Sequence, residues 1–167
     1  SLGHAGFMAV GAYVSALLTM SPAQKDMNFF LTPIVPWLRE VQLPFLAALL
    51  VAGLCAALVG LLIGAPALRL RDDYLAIATL GFAEIIRVLI TNAQPLTNGA
   101  QGLKAIPKYS TTWVVWGAAA AAAAFLVLLL RSSYGRTIKA VRDDEIAAEA
   151  MGVNVFRVKV TSFVISS

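Results

Sequence analysis

Twenty-six consecutive residues, Leu43 to Leu68, carry no charge. A hydrocarbon layer about 30 Å thick takes about 20 apolar residues as a helix, and backbone inside lipid must be helical or part of a closed barrel. The run therefore has the length of one tilted membrane helix. Pro44 stands near its start, where a missing N–H does no harm, and Pro66 marks its end. Ala56, Gly60 and Gly64 recur every four residues, which puts small side chains on one face. Such a face favours close approach of another helix over plain exposure to lipid.

The whole chain follows that lead. Of 167 residues, 59% are hydrophobic and 13% charged, with a mean hydropathy of +0.79, whereas about a quarter of a soluble domain is charged. Thirteen basic and nine acidic side chains do not cover the polar shell a globule of this size needs. A soluble domain and intrinsic disorder are both excluded. The net charge of +4 comes from residues in short segments between apolar runs, where they act as topology signals and not as a nucleic-acid patch. The lone Cys55 forms no internal disulfide and offers no metal cluster. No phosphate-binding loop, nucleophile elbow or zinc-protease motif occurs, and the only histidine, His4, reads as hydrogen-bonded structure. No catalytic residue, metal or cofactor is expected.

Trp113 to Leu130 is a second span, with Trp113 and Trp116 suited to an interface and Arg131 closing the other end. Its alanine run, Ala118 to Ala124, is good helix and not linker. Leu2 to Met20 reads as a third membrane helix, and Val160 to Ser167 as the start of another. Both chain ends look cut, so residues 1–167 are expected to be the middle of a longer membrane protein. Tyr74 to Asn92 is apolar enough to enter the membrane, by spanning or by re-entering, yet holds Glu84 and Arg87 at its centre. Three residues apart, they share a helix face and pair. Such a pair either fixes helix contacts inside a bundle or lines a polar pathway. The fold class is all-α, a polytopic transmembrane helix bundle.

The charges also orient it. Arg131 to Lys159 contains six basic residues, Arg131, Arg136, Lys139, Arg142, Arg157 and Lys159, which marks the segment as cytoplasmic. Counting back puts Ala93 to Thr112 outside, Arg69 to Asp73 inside and Ser21 to Gln42 outside; Arg69 and Arg71 agree, while Lys104 and Lys108 run against the rule. The outer stretch Pro95 to Pro107 reads as a connector, or as an ordered loop or re-entrant dip built on Gly99, Gly102 and two prolines.

Within the cytoplasmic segment, Gly135 to Met151 has helical periodicity. The polar start Arg142-Asp143-Asp144-Glu145 predicts a short helix from about Asp143 to Met151, ended by Gly152. Such a helix lies on lipid, covers the protein's own inner end or docks on a soluble partner. The four acidic residues Asp143, Asp144, Glu145 and Glu149 weigh against lipid.

Three stretches together resemble the membrane permeases of ABC importers for branched-chain amino acids, the LivM type. They are SLGHAGFMAVGAY at Ser1 to Tyr13, RLRDDYLAIATLGFAEIIRVL at Arg69 to Leu89, and SSYGRTIKAVRDDEIAAEAMGVNVFRVKVTSFVISS at Ser132 to Ser167, with weaker support from LTNGAQGLKAIP at Leu96 to Pro107. The resemblance implies a multi-pass protein of the bacterial inner membrane. It also implies a second permease subunit, two ATP-binding subunits that carry the hydrolysis, and an extracytoplasmic binding protein. Such permeases present a coupling helix with the pattern E-A-A-x-x-x-G to the ATPase. Here Ala147 and Ala148 stand at the matching distance from Gly152, while Ile146 takes the glutamate's place and Glu145 precedes it. On that basis Arg142, Asp143, Asp144, Glu145, Ala147, Ala148 and Gly152 are the expected coupling residues. The charged ones would form the rim of the contact and the alanines its close approach. A permease for urea or short-chain amides would share these features. An ion-coupled secondary transporter and a non-transporting anchor subunit are the readings from other classes.

Overall fold

The computed structural model describes residues 3–30, 32–70 and 72–167, with Asp72 and Asp73 described by their backbone alone. Arg71, one of the orienting charges, and Leu2, the start of the first apolar run, lie outside the described residues. Among the described residues all regular structure is helical. The chain divides into two compact units, Ser1–Pro107 and Lys108–Ser166.

In the first unit, α1 (His4–Thr19) is followed by two short helices, α2 (Pro22–Asn28) and α3 (Pro36–Glu40). Two long helices come next, α4 (Phe45–Ala67) and α5 (Asp72–Asn92), and then the one-turn α6 (Gln94–Thr97) with a 3-10 turn at Gly99–Gln101. At 1.5 Å per residue α4 and α5 are about 34 and 31 Å long, enough to cross a hydrocarbon core, whereas α1 reaches only about 24 Å. By length and composition α4, residues 74–92 of α5, and the later helix at Thr112–Arg131 qualify as membrane spans. Residues 74–92 form one unbroken helix, which has the length for a span.

The small-residue face of α4 is buried as its spacing predicts. It reaches further back than Ala56, since Ala48, Ala52, Ala56, Gly60, Gly64 and Ala67 are all inside. α4 packs most extensively against α1, and also against α5. The apolar side chains around this seam, Leu46, Leu50, Leu54, Leu58 and Leu62, stay exposed, as lipid-facing residues do.

The end of this unit near α2 and α3 is ordered by polar contacts that hydropathy does not reveal. Ser21 caps α2 in a reciprocal box with Gln24: the Ser21 N–H donates to Gln24 Oε1 (2.9 Å) and the Gln24 N–H to Ser21 Oγ (3.4 Å). Asn28 pairs with the backbone of Lys104 in both directions, accepting from its N–H (2.6 Å) and donating to its carbonyl (2.9 Å). Lys25 has no exposed surface. Its ammonium donates to the carbonyls of Leu38 (2.8 Å) and Val41 (2.5 Å), closing the C-terminal end of α3. Beneath them Leu17, Phe29, Ile34 and Leu38 form a small core with Leu103 packed on it. Residues 95–107 are thus an ordered loop, not a loose connector.

The second unit begins with α7 (Thr112–Arg131), followed by α8 (Ser133–Asp143), α9 (Glu145–Ala150) and α10 (Val155–Ser166). No residue of α7 is buried. Ser132 ends α7 and caps α8 at once, accepting from the Gly135 N–H (3.2 Å). The turn is so tight that a methyl group on Gly135 would land on backbone atoms of Leu129 and Leu130.

Candidate functional site

Two regions hold the residues to which the sequence points. The first is on α5. Glu84 and Arg87 do pair, through Nε (2.8 Å) and Nη2 (2.5 Å) of the guanidinium onto the two carboxylate oxygens. Their side chains are 58% and 70% exposed, so the described residues of this unit leave them mostly uncovered. They lie on the wall of a groove of about 820 Å3 between α1 and α5, with Gly6, Ala9 and Tyr13 on the other side and Thr91 further along. Exposed charge midway along a membrane helix is costly against acyl chains, and such residues characteristically face a polar cavity or a protein partner.

The second region is α8 to α10, where the helical stretch 135–151 divides at Asp144 and the expected short helix is present as α9. Residue 144 has extended backbone (φ −158°, ψ 110°), and its carboxylate accepts from the N–H groups of Ile146 (2.9 Å) and Ala147 (3.0 Å). The aspartate thus competes with the helical ladder and starts a new helix, as a good N-cap does. The expected start near Asp143 moves to Glu145, because Asp143 is still the last residue of α8. The end is as expected. Gly152 takes φ +83°, its N–H donates to Glu149 (2.9 Å), and the Val153 N–H reaches back to Ala148 (3.1 Å). These two bonds make a Schellman motif, for which the positive φ of glycine is suited.

The charges sort by role. Arg142 is paired with its neighbour Asp143 (2.7 Å), both exposed. Glu145 reaches Lys159 on α10 (2.5 Å), and Tyr134 of α8 is hydrogen-bonded to Thr161 of α10. Ala148 is 5% exposed and packs with Val141 and Val158 in a core supported by Ile138, Val153 and Val155. It therefore holds α9 in place and presents nothing outward. Ala147 is on the outer side, next to Ile146, which is 82% exposed, and Met151, at 85%. The break at Asp144 resets the helical phase, and Ile146 is turned out. Among the described residues no three His, Cys, Asp or Glu side chains are grouped to hold a metal.

Long apolar helices and a small-residue seam define a polytopic membrane protein, and a braced, capped short helix with apolar side chains outward follows them. Comparison with known proteins makes the assignment specific. The family model described as the permease component of the branched-chain amino acid transport system matches residues 1–167, and the chain belongs to that family. It is 34% identical to the high-affinity branched-chain amino acid transport system permease protein LivM of Escherichia coli, over 99% of this chain and 43% of that protein. The Salmonella typhimurium protein of the same name gives the same figures. A probable branched-chain amino acid transport permease LivM of Methanocaldococcus jannaschii is 24% identical over 71% of this chain and 39% of its own length. The chain thus spans less than half the length of these relatives. No solved structure matches it at a significant level.

Proposed function

We propose that this chain is part of a permease subunit of an ATP-driven importer for branched-chain amino acids in the bacterial inner membrane. A second permease, separate ATP-binding subunits that hydrolyse ATP, and an extracytoplasmic binding protein complete the assembly. The family supports the transport role, and the basic residues between Arg131 and Lys159 support a cytoplasmic position for α8 to α10.

The observation that carries the coupling role is the construction of α9. It is fixed by Asp144 at one end and Gly152 at the other, and braced from behind by Ala148 and the Glu145–Lys159 pair. Outward it offers Ile146, Ala147 and Met151. Two large apolar side chains on a rigid turn suit a groove on the ATPase, with Arg142 and Asp143 as rim charges that set register. ATP-driven closure of the partner then moves α9, and through the braces it moves α8 and α10, switching access to the pathway. Glu84 and Arg87 are read as lining that pathway.

The test is leucine uptake by the full-length assembly in proteoliposomes. Ile146→Asp with Met151→Asp is expected to abolish ATP-coupled uptake while leaving the permease folded, because neither side chain is in the core. Uptake that persists in this variant and in Gly152→Pro refutes the coupling role. Uptake that needs no ATP-binding subunit refutes the importer reading.

A further inference from the structure

The groove beside Glu84 and Arg87 does not stand alone. A second groove of about 410 Å3, lined mainly by apolar side chains, includes Val14, Leu17, Val51, Cys55 and Leu96. Tyr13 of α1 and Ile90 of α5 line both. Tyr13 also borders a third, smaller cavity beside Gly102 and Leu103, and its hydroxyl lies 3.9 Å from where a Cβ on Gly102 would be. The register follows from the close contact of Gly6 with Ala83 and Ile86, where a Cβ on Gly6 would meet the Ala83 Cα at 3.2 Å. Both helices advance from that contact at 1.5 Å per residue, so Tyr13 stands about one turn beyond Arg87, level with Ile90 and Thr91.

Charge chemistry says what fits there. Arg87 uses two of its five N–H donors on Glu84, and each Glu84 oxygen accepts from Arg87 once, so donors remain on one side and lone pairs on the other. One free anion site beside one free cation site is the complement of a small zwitterion. An apolar groove begins one turn further on.

We infer that Tyr13 is a specificity-determining residue of a composite site for an aliphatic α-amino acid. The α-carboxylate meets Arg87, the α-ammonium meets Glu84, and the side chain passes the tyrosine ring into the groove lined by Val14, Leu17 and Val51. This rests on the permease reading above and adds to it the place where side chains are distinguished. Cys55, the only cysteine in the chain, reports on the apolar half.

The experiment uses the full-length protein with its partners, any other cysteines replaced, and follows N-ethylmaleimide labelling of Cys55. Leucine is expected to slow labelling at least fivefold. Glycine, which has the zwitterion but no side chain, and isocaproate, which has the side chain but no ammonium, are expected to leave it unchanged. In parallel, Tyr13→Ala should raise the KM for leucine about tenfold, the scale of a lost apolar contact, with the KM for alanine little changed, and Tyr13→Phe should restore discrimination. Labelling that ignores leucine, or that isocaproate slows as well as leucine does, overturns the composite site, and needs no variant of Tyr13 to fold. If leucine uptake by the parent assembly is intact in that case, only the site falls; if the parent assembly imports no leucine, the permease reading falls with it.

Discussion

Replacing Lys25 with methionine tests the least expected feature of the structure, an ammonium inside the polar cap of a membrane protein. Lys25 ties α2 to the carbonyls of Leu38 and Val41, and methionine keeps the length of the side chain but none of its donors. Hydrogen bonds to a charged group contribute about 1.5 to 3 kcal/mol each, against which stands the cost of desolvating the ammonium. A net loss of about 2 kcal/mol is expected, which is about thirtyfold in the local opening equilibrium. Hydrogen exchange on the purified full-length protein reads this directly, with faster exchange confined to peptides from Pro22 to Val41. Burial lowers the proton affinity of Lys25 below the usual lysine range. The unfolded segment therefore holds the proton to higher pH than the folded one, and stability rises as pH climbs from the lowered value to the ordinary one. Exchange in the parent protein should thus slow, or hold steady, with alkaline pH after correction for intrinsic rates. A change under threefold in Lys25→Met, or one spread equally over α8 to α10, refutes the reasoning.

Other consequences follow from single contacts. Ala52→Leu on the buried face of α4 overpacks the seam and is expected to cost about 1 to 3 kcal/mol, seen as a lower Tm in detergent, whereas Leu58→Ala on the exposed face should be nearly silent. Asp144→Ala removes the cap of α9 and should cost about 1 kcal/mol, read as faster exchange at Ile146 and Ala147. The Asp26 carboxylate is held below its usual range chiefly by the hydrogen bond from Arg39, at 2.7 Å. Its contribution is therefore complete above the ordinary aspartate pKa and is lost as pH falls through the lowered value. Asp26→Asn should remove that acid dependence from exchange in α3, and high salt should weaken it, since both groups are solvated.

The apolar runs at 43–68, 74–92 and 113–130 were legible because each is set by lipid, whose demand on a helix is one of length and charge. The face of α4 was legible because its spacing is regular. Less could be read where backbone geometry depends on one polar side chain. The polar run 142–145 announced a short helix, but its start at Glu145 depends on Asp144 acting as the cap. For the same reason Ala147 and Ala148, alike in sequence, part company in the fold. The contacts of Lys25 and Asn28 join segments 13 to 76 residues apart, and no local pattern announces them. Tyr13 looked like one more residue of an apolar helix until α5 and the loop at Gly102 came beside it.

The seam on α4 has a geometric consequence of its own. A full turn takes 3.6 residues, so positions repeating every four creep forward about 40° at each step. From Ala48 to Gly64 the buried line thus winds nearly half way round the cylinder. A straight stripe would face one direction along its whole length; a winding one faces different directions at its two ends, and α4 contacts both α1 and α5. α4 is in this sense a spindle. A small rotation about its axis would shift the seam at every level together.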